Sequence, residues 1–170
     1  MKSRFILLIG GLLLLSACND PNGPDHHTTP FGIYLLADTT LTTADVKIFA
    51  IDELEVQEKP LISISSIQYY NWSEHIITLT YAGAENYNRR NINVTSVCGW
   101  PFIVMVENEK IYLGNFYPPF SSIKYPDLPE IMLMNADTLQ IRRASSQETK
   151  DKRTDRRIYS VLKRENKLVF

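Results

Sequence analysis

His75 stands beside Trp72, Ser73 and Glu74, where an imidazole next to a carboxylate could do acid–base work. No second positioned group accompanies the pair, so the spacing favours a turn histidine that satisfies nearby backbone. His26 and His27 would hold a metal only with fixed further ligands, which a run as polar and proline-rich as NDPNGPDHHTTP does not supply. Cys98, between Val97 and Gly99, reads as a small buried hydrophobe, with a reactive thiol or an intermolecular bridge as the alternative. Glu107 and Glu109 read as the polar rim of a turn. No serine stands in a G-x-S-x-G elbow, and no glycine-rich phosphate loop occurs. The expectation is a chain that is not an enzyme, has no metal site and uses no cofactor.

The remaining cysteine has a different context. Lys2 and Arg4 precede an apolar run over 5–15, and Ser16 and Ala17 stand immediately before Cys18. A charged start, an apolar stretch and small residues make an export signal. The run is about eleven residues long, against the roughly twenty that a spanning helix needs. Leu15-Ser16-Ala17-Cys18 resembles the bacterial lipobox. That resemblance implies diacylglycerol on the Cys18 thiol, cleavage before Cys18 and, often, a further acyl chain (typically palmitate) on the new amino terminus. With about 0.8 kcal/mol for each buried methylene, two or three chains exceed the single chain that binds only reversibly. The membrane is therefore an expected partner, reached through lipid on Cys18. Asn19 after the cysteine implies, under the enterobacterial sorting rule, the outer membrane facing the periplasm.

Four segments follow: a signal peptide at 1–17, the lipidated cysteine and a flexible tether at 18–30, a globular domain at 31–144, and a basic helix and tail at 145–170. About 150 residues after the signal suffice for one domain. The frequent Ile, Val, Tyr and Thr favour strands. FGIYLLA opens the domain as a strand, and Thr42 with Asp45 predicts a short helix over 43–51. A hairpin spans 61–81 around a turn at 71–74, with Ile77, Leu79 and Tyr81 on one face. AGAENYNRR predicts a helix. PFIVMV and KIYLGNF form a second hairpin around Glu107-Asn108-Glu109, where Asn108 tolerates a left-handed turn. PFIVMV, apolar throughout, predicts a central strand buried on both faces. IMLM and TLQIRR are two further strands. The fold class is α+β, a mainly antiparallel sheet of five to seven strands with one or two packed helices and a basic C-terminal helix.

Two surfaces are candidates for contact. Residues 116–129 hold Phe116, Tyr117, Phe120 and Tyr125 among four prolines, large rigid area at low entropic cost. The alternative is a lid over the sheet edge. The second candidate follows from charge: 142–170 carries ten basic and four acidic residues, net +6, whereas 18–141 carries six and fifteen, net −9. Arg153, Arg156, Arg157, Lys163 and Arg164 form a candidate electrostatic contact for anionic headgroups or an acidic partner. The alternative is a helix laid back on the acidic body through Ile158, Val161 and Leu162.

Over 76–119 the order I-I-T-L-T, Gly83-Ala84 with Tyr87, then PFIVMVENEKIYLGNFYPP resembles the periplasmic head subdomain of SecD. Glu107-Asn108 stands where that subdomain has an Asp-Gly turn, and Tyr87 where it has phenylalanine. The resemblance implies an α+β fold and contact with an unfolded chain or a partner, without a motor. The same region is similar to small bacterial lipoproteins of uncharacterised role, which imply no function. The functional expectation is a non-catalytic envelope lipoprotein that binds a protein or the wall, with no nucleic acid as partner. The alternatives are an accessory factor in protein export or outer-membrane assembly, and a small envelope hydrolase or enzyme inhibitor.

Overall fold

Residues 29–90, 96–118, 120–143, 145 and 150–170 are described by the structure, a computed structural model. Cys18, the signal, most of the tether, the His26-His27 pair and Glu148 lie outside them. Nine strands are present among the described residues: β1 (Phe31–Leu35), β2 (Ile62–Ser63), β3 (Ile67–Asn71), β4 (Ile76–Leu79), β5 (Trp100–Val106), β6 (Glu109–Phe116), β7 (Glu130–Asn135), β8 (Thr138–Arg142) and β9 (Leu168–Val169). Three helices accompany them: α1 (Thr43–Val46), α2 (Tyr81–Arg89) and α3 (Arg156–Arg164). The strands form one sheet in the order β2-β1-β5-β6-β7-β8-β4-β3-β9. The class is α+β.

Nine strands replace the expected five to seven, because β2 and β9 are two residues each and too short to show a period. The sheet is mixed. β3 pairs with β9 and β6 pairs with β7 in parallel, and the other neighbours are antiparallel. The run 61–70, read as one strand, is split by a 3₁₀ turn over Ile64–Ser66. The split sends its halves to opposite ends of the strand order, β2 onto β1 and β3 onto β4. Strands adjacent in the chain can occupy such distant places only if the sheet curls back on itself.

β5 is the central strand that its apolar run predicts, paired with β1 on one side and β6 on the other. Because side chains alternate across a strand, its two faces feed two cores. Phe102, Val104 and Val106 join Tyr70, Tyr87, Ile158, Val161 and Leu162 in the larger core. Ile103 joins Leu36, Val46, Leu54 and Leu113 in the smaller one, beneath α1.

Three further expectations change. The helix expected over 43–51 ends at Val46, and a separate 3₁₀ turn forms over Ile51–Glu53. Each has its own local start: Asp45 accepts from Thr42 N–H at 2.8 Å, and Glu53 accepts from Ala50 N–H at 3.1 Å. Tyr81 is 86% exposed rather than inward-facing, because Thr80 caps α2 (Gly83 N–H to Oγ1, 3.0 Å) and ends the strand period. The helix expected from Ser145 is instead a 3₁₀ turn at Lys152–Thr154 followed by α3, since Asp151 caps the first and Asp155 the second. In the β5–β6 turn the left-handed residue is Glu107 (φ 55°), not Asn108.

α2 lies close against the turn over Ile64–Ser66. A Cβ on Gly83 would sit 2.4 Å from the carbonyl oxygen of Ser66, so only glycine permits this approach.

Candidate functional site

The loop over 117–129 is the crossover between parallel β6 and β7, where Asn115 pairs with Glu130. Pro118, Pro126 and Pro129 lack the N–H that a ladder needs, and the loop's own side chains order it. The Tyr117 and Tyr125 rings stack with centroids 6.1 Å apart and planes 20° apart. Tyr117 Oη accepts from the Tyr125 backbone N–H at 2.5 Å. Lys124 Nζ lies 4.1 Å from the Tyr117 centroid and Lys47 Nζ lies 4.9 Å from that of Tyr125. Each cation–π contact at such sites is worth about 0.5–1 kcal/mol.

Of the four aromatic residues expected at a contact surface, Phe116 lies in the core, 4% exposed with its ring centroid 5.0 Å from that of Phe102. It is the last residue of β6, and strand alternation turns it inward. Tyr117 and Tyr125 are half-buried, whereas Phe120 is 67% exposed. Exposed apolar residues accompany Phe120. The Ser121 hydroxyl donates to the carbonyls of Val97 and Ile123, both exposed, and Ile48 and Phe49 follow Lys47 with 78% and 52% exposure. Both lie beyond the end of α1 at Val46, within the span 43–51 that the sequence predicts as helix.

Beneath this loop lies a buried polar group. The Thr43 hydroxyl donates to Asn115 Oδ1, and both residues are fully buried. Asn115 Nδ2 has no hydrogen-bond partner among the described residues. Asn115 N–H donates to Pro129 O at 2.9 Å, and Thr43 N–H donates to Gly99 O at 3.3 Å. Gly99 has φ 73°, and a Cβ there would meet the Asn115 amide at 2.4 Å. α1, the 96–99 turn, β6 and the crossover loop are thus joined at one point.

The five basic residues proposed for contact separate into two kinds. Arg153 is held by the body: it forks Asp151 (Nε to Oδ1 2.9 Å, Nη2 to Oδ2 2.7 Å) and donates to Ile141 O at 2.7 Å. Arg157 bridges Asp155 at 2.8 Å and Glu109 at 2.7 Å, and its partners raise its pKa. Arg164 reaches Glu107 and Glu165, each at 3.3 Å. Glu107 and Glu109 flank the β5–β6 turn, so α3 is fastened to that hairpin through charge and to the core through Ile158, Val161 and Leu162, each at most 2% exposed. Arg156 and Lys163 are exposed on the helix, and Lys163 lies 5.9 Å from the Tyr159 centroid.

His75 is buried at 4% exposure and left-handed at φ 53°. Its Nδ1 lies 2.8 Å from Tyr70 Oη, and the Trp72 ring packs 5.4 Å from it. Glu74, the acid–base partner considered from the sequence, is exposed and shares no hydrogen bond with it. Burial pushes the imidazole pKa down to about 4, helped by the Arg153 charge and opposed by Asp151. Burial also pushes the Tyr70 hydroxyl up. A neutral imidazole hydrogen-bonded to an un-ionised phenol within the core is a structural contact.

Two Ser-x-x-Lys spacings, Ser121/Lys124 and Ser160/Lys163, occur in the chain. Neither lysine hydrogen-bonds its serine: Lys124 caps the Tyr117 ring and pairs with Glu130 at 3.2 Å, and Lys163 faces Tyr159. Among the described residues no group of three His, Cys, Asp or Glu side chains could hold a metal. Among them, too, no helix is long and apolar enough to cross a membrane. Cys98 is half-buried in the 96–99 turn. No protein-family model matches the chain, and neither a curated protein nor a solved structure matches it.

Proposed function

We propose that this protein is a non-catalytic bacterial envelope lipoprotein, anchored through lipid on Cys18, that docks a protein partner on the surface around the 117–129 loop. The carrying observation is the gathering of Phe120, Ile123 and Val97 about a loop whose stacked Tyr117 and Tyr125 hold it in shape. Exposed apolar side chains on a preordered loop contribute binding area without a large ordering cost. The anchor rests on the resemblance of Leu15-Ser16-Ala17-Cys18 to the lipobox, and Asn19 supports the outer membrane facing the periplasm.

Recovery of the lipidated full chain from native envelope, followed by mass spectrometry, tests the reading. Phe120→Ser is the discriminating variant, because Phe120 is largely exposed, whereas Tyr117 stacks on Tyr125 and accepts its backbone N–H. Loss of an aromatic anchor at a contact centre costs about 2 kcal/mol or more. The expected result is a specific partner lost in Phe120→Ser with unchanged melting. Components of protein export or outer-membrane assembly among the lost partners would make the protein an accessory factor. Equal recovery by wild type and variant, or binding to purified wall alone, would overturn the docking surface.

A further inference from the structure

A cleft of about 650 Å³ lies on another part of the molecule, between the 57–66 segment and the C-terminal end of α2. Lys59, Arg89, Arg90, Ser63, Ser65 and Ser66 line it. The 18–141 region holds six basic and fifteen acidic residues, yet three of the six cations line this one cleft and none of the described carboxylates does. In a region of net charge −9, such a concentration of positive charge is not the average surface.

Local structure sets the cleft. The 3₁₀ turn over Ile64–Ser66 gathers the serines, with Ser63 Oγ 2.8 Å from Ser65 Oγ and 2.9 Å from Ser66 Oγ. Three hydroxyls carry three protons, and two mutual bonds consume two, so one proton remains to donate outward. Gly83 lets α2 approach this turn, and the last turn of the helix then brings Arg89 and Arg90 to its rim. Part of the charge has local work. Arg89 pairs with Glu85 at 2.5 Å, and both arginines oppose the negative end of the helix dipole. Among the described residues Arg90 has only a neutral partner, Gln57 Oε1 at 3.4 Å, and Lys59 has no ion-pair partner.

We propose that this cleft binds a phosphate-type oxyanion. A phosphate brings up to two charges and three strong acceptor oxygens, which suits three cations and a hydroxyl donor better than a carboxylate does. The volume falls within the range of small-molecule sites, room for a phosphate with its ester group. Two sources carry this chemistry: a lipid headgroup and a soluble phosphate ester. Thr29 also lines the cleft. If Cys18 bears the anchor, as in the proposed function, the ten residues between it and Thr29 reach at most about 40 Å, which keeps the cleft near the headgroups. Oxyanion binding itself does not depend on the anchor.

The test titrates the full chain in non-ionic detergent with inorganic phosphate at constant ionic strength, reading the amide signals of Ser63, Ser65 and Ser66, with acetate as comparison. The expected result is a saturable shift with phosphate and none with acetate, weakened about tenfold or more in the Lys59→Gln/Arg90→Gln double variant at unchanged melting temperature. Arg156→Gln/Lys163→Gln should leave the titration unaltered. A linear response, an equal response to acetate, or equal weakening by the α3 variant would overturn the proposal. Vesicles then identify the source. Larger shifts on phosphatidylglycerol than on phosphatidylcholine support a headgroup, and equal behaviour on both, with saturation by free phosphate, supports a soluble ester.

Discussion

His75 gives the protein a predictable weakness toward acid. Its folded pKa of about 4 lies below the ordinary 6.5, so the unfolded chain takes up the proton first as pH falls. Stability is full above pH 6.5 and declines down to about 4, by about 3 kcal/mol at about 1.4 kcal/mol per unit. Asparagine tolerates the left-handed backbone at this position and does not titrate. The expected outcome in urea unfolding at pH 7 and pH 5 is a marked loss in wild type and a flatter profile in His75→Asn. Trp72, packed on the imidazole, supplies a fluorescence signal for the same event. At Gly99 the expectation is steric. Ala would face both the left-handed φ and the Asn115 amide, for about 1–3 kcal/mol from backbone strain alone. Thermal melting of Gly99→Ala should fall by several degrees, and an unchanged midpoint would mean that the Thr43–Asn115 junction is not needed for folding.

α3 shows how differently charge and burial contribute within one element. Leu162 is fully buried, and Leu162→Ala should cost about 2–5 kcal/mol in chemical denaturation. Arg157→Gln breaks two ion pairs on a side chain 49% exposed and should cost less than about 1 kcal/mol. A reversed order would place the grip of α3 in its salt bridges. Both hairpins, α2 and the doubly buried β5 were legible in the sequence, because each depends on neighbouring residues: a turn between apolar runs, or the helix-forming run AGAENYNRR. The parallel pairs of β3 with β9 and β6 with β7 were not, since nothing local in Leu168-Val169 says that Tyr70 is its partner. The break at Ile64–Ser66 was hidden for the opposite reason, serines being compatible with strand and turn alike. In the 117–129 loop, Tyr117, Phe120 and Tyr125 were identifiable by composition. The inward turn of Phe116, and the meeting of Lys59 with Arg89 and Arg90 across about thirty residues, needed the tertiary fold.

On the scale of the whole molecule, the anchor proposed at Cys18 and the two charged regions make separate demands. If the proposed anchor is right, Cys18→Ala should abolish lipid labelling and leave an uncleaved, slower-migrating precursor, since in a lipobox the thiol is the acceptor and cleavage follows acylation; labelling that persists in the variant would sink the anchor. The −9 body and +6 tail meet within the molecule through Arg157–Glu109 and Arg164–Glu107, so part of the sequence's charge asymmetry is internal. The place of β9 and α3 has a kinetic consequence. Tyr70 and Asn71 acquire their parallel neighbour only from Leu168 and Val169, and the larger core is closed by Ile158, Val161 and Leu162. A chain emerging amino terminus first, from a ribosome or a translocation pore, therefore has nothing with which to seal that core until nearly all of it has appeared. Such a chain should remain open and threadable through most of its passage and then collapse late and together. Arrested fragments ending near residue 145 should stay sensitive to protease, and resistance should appear in one step once residue 169 is clear.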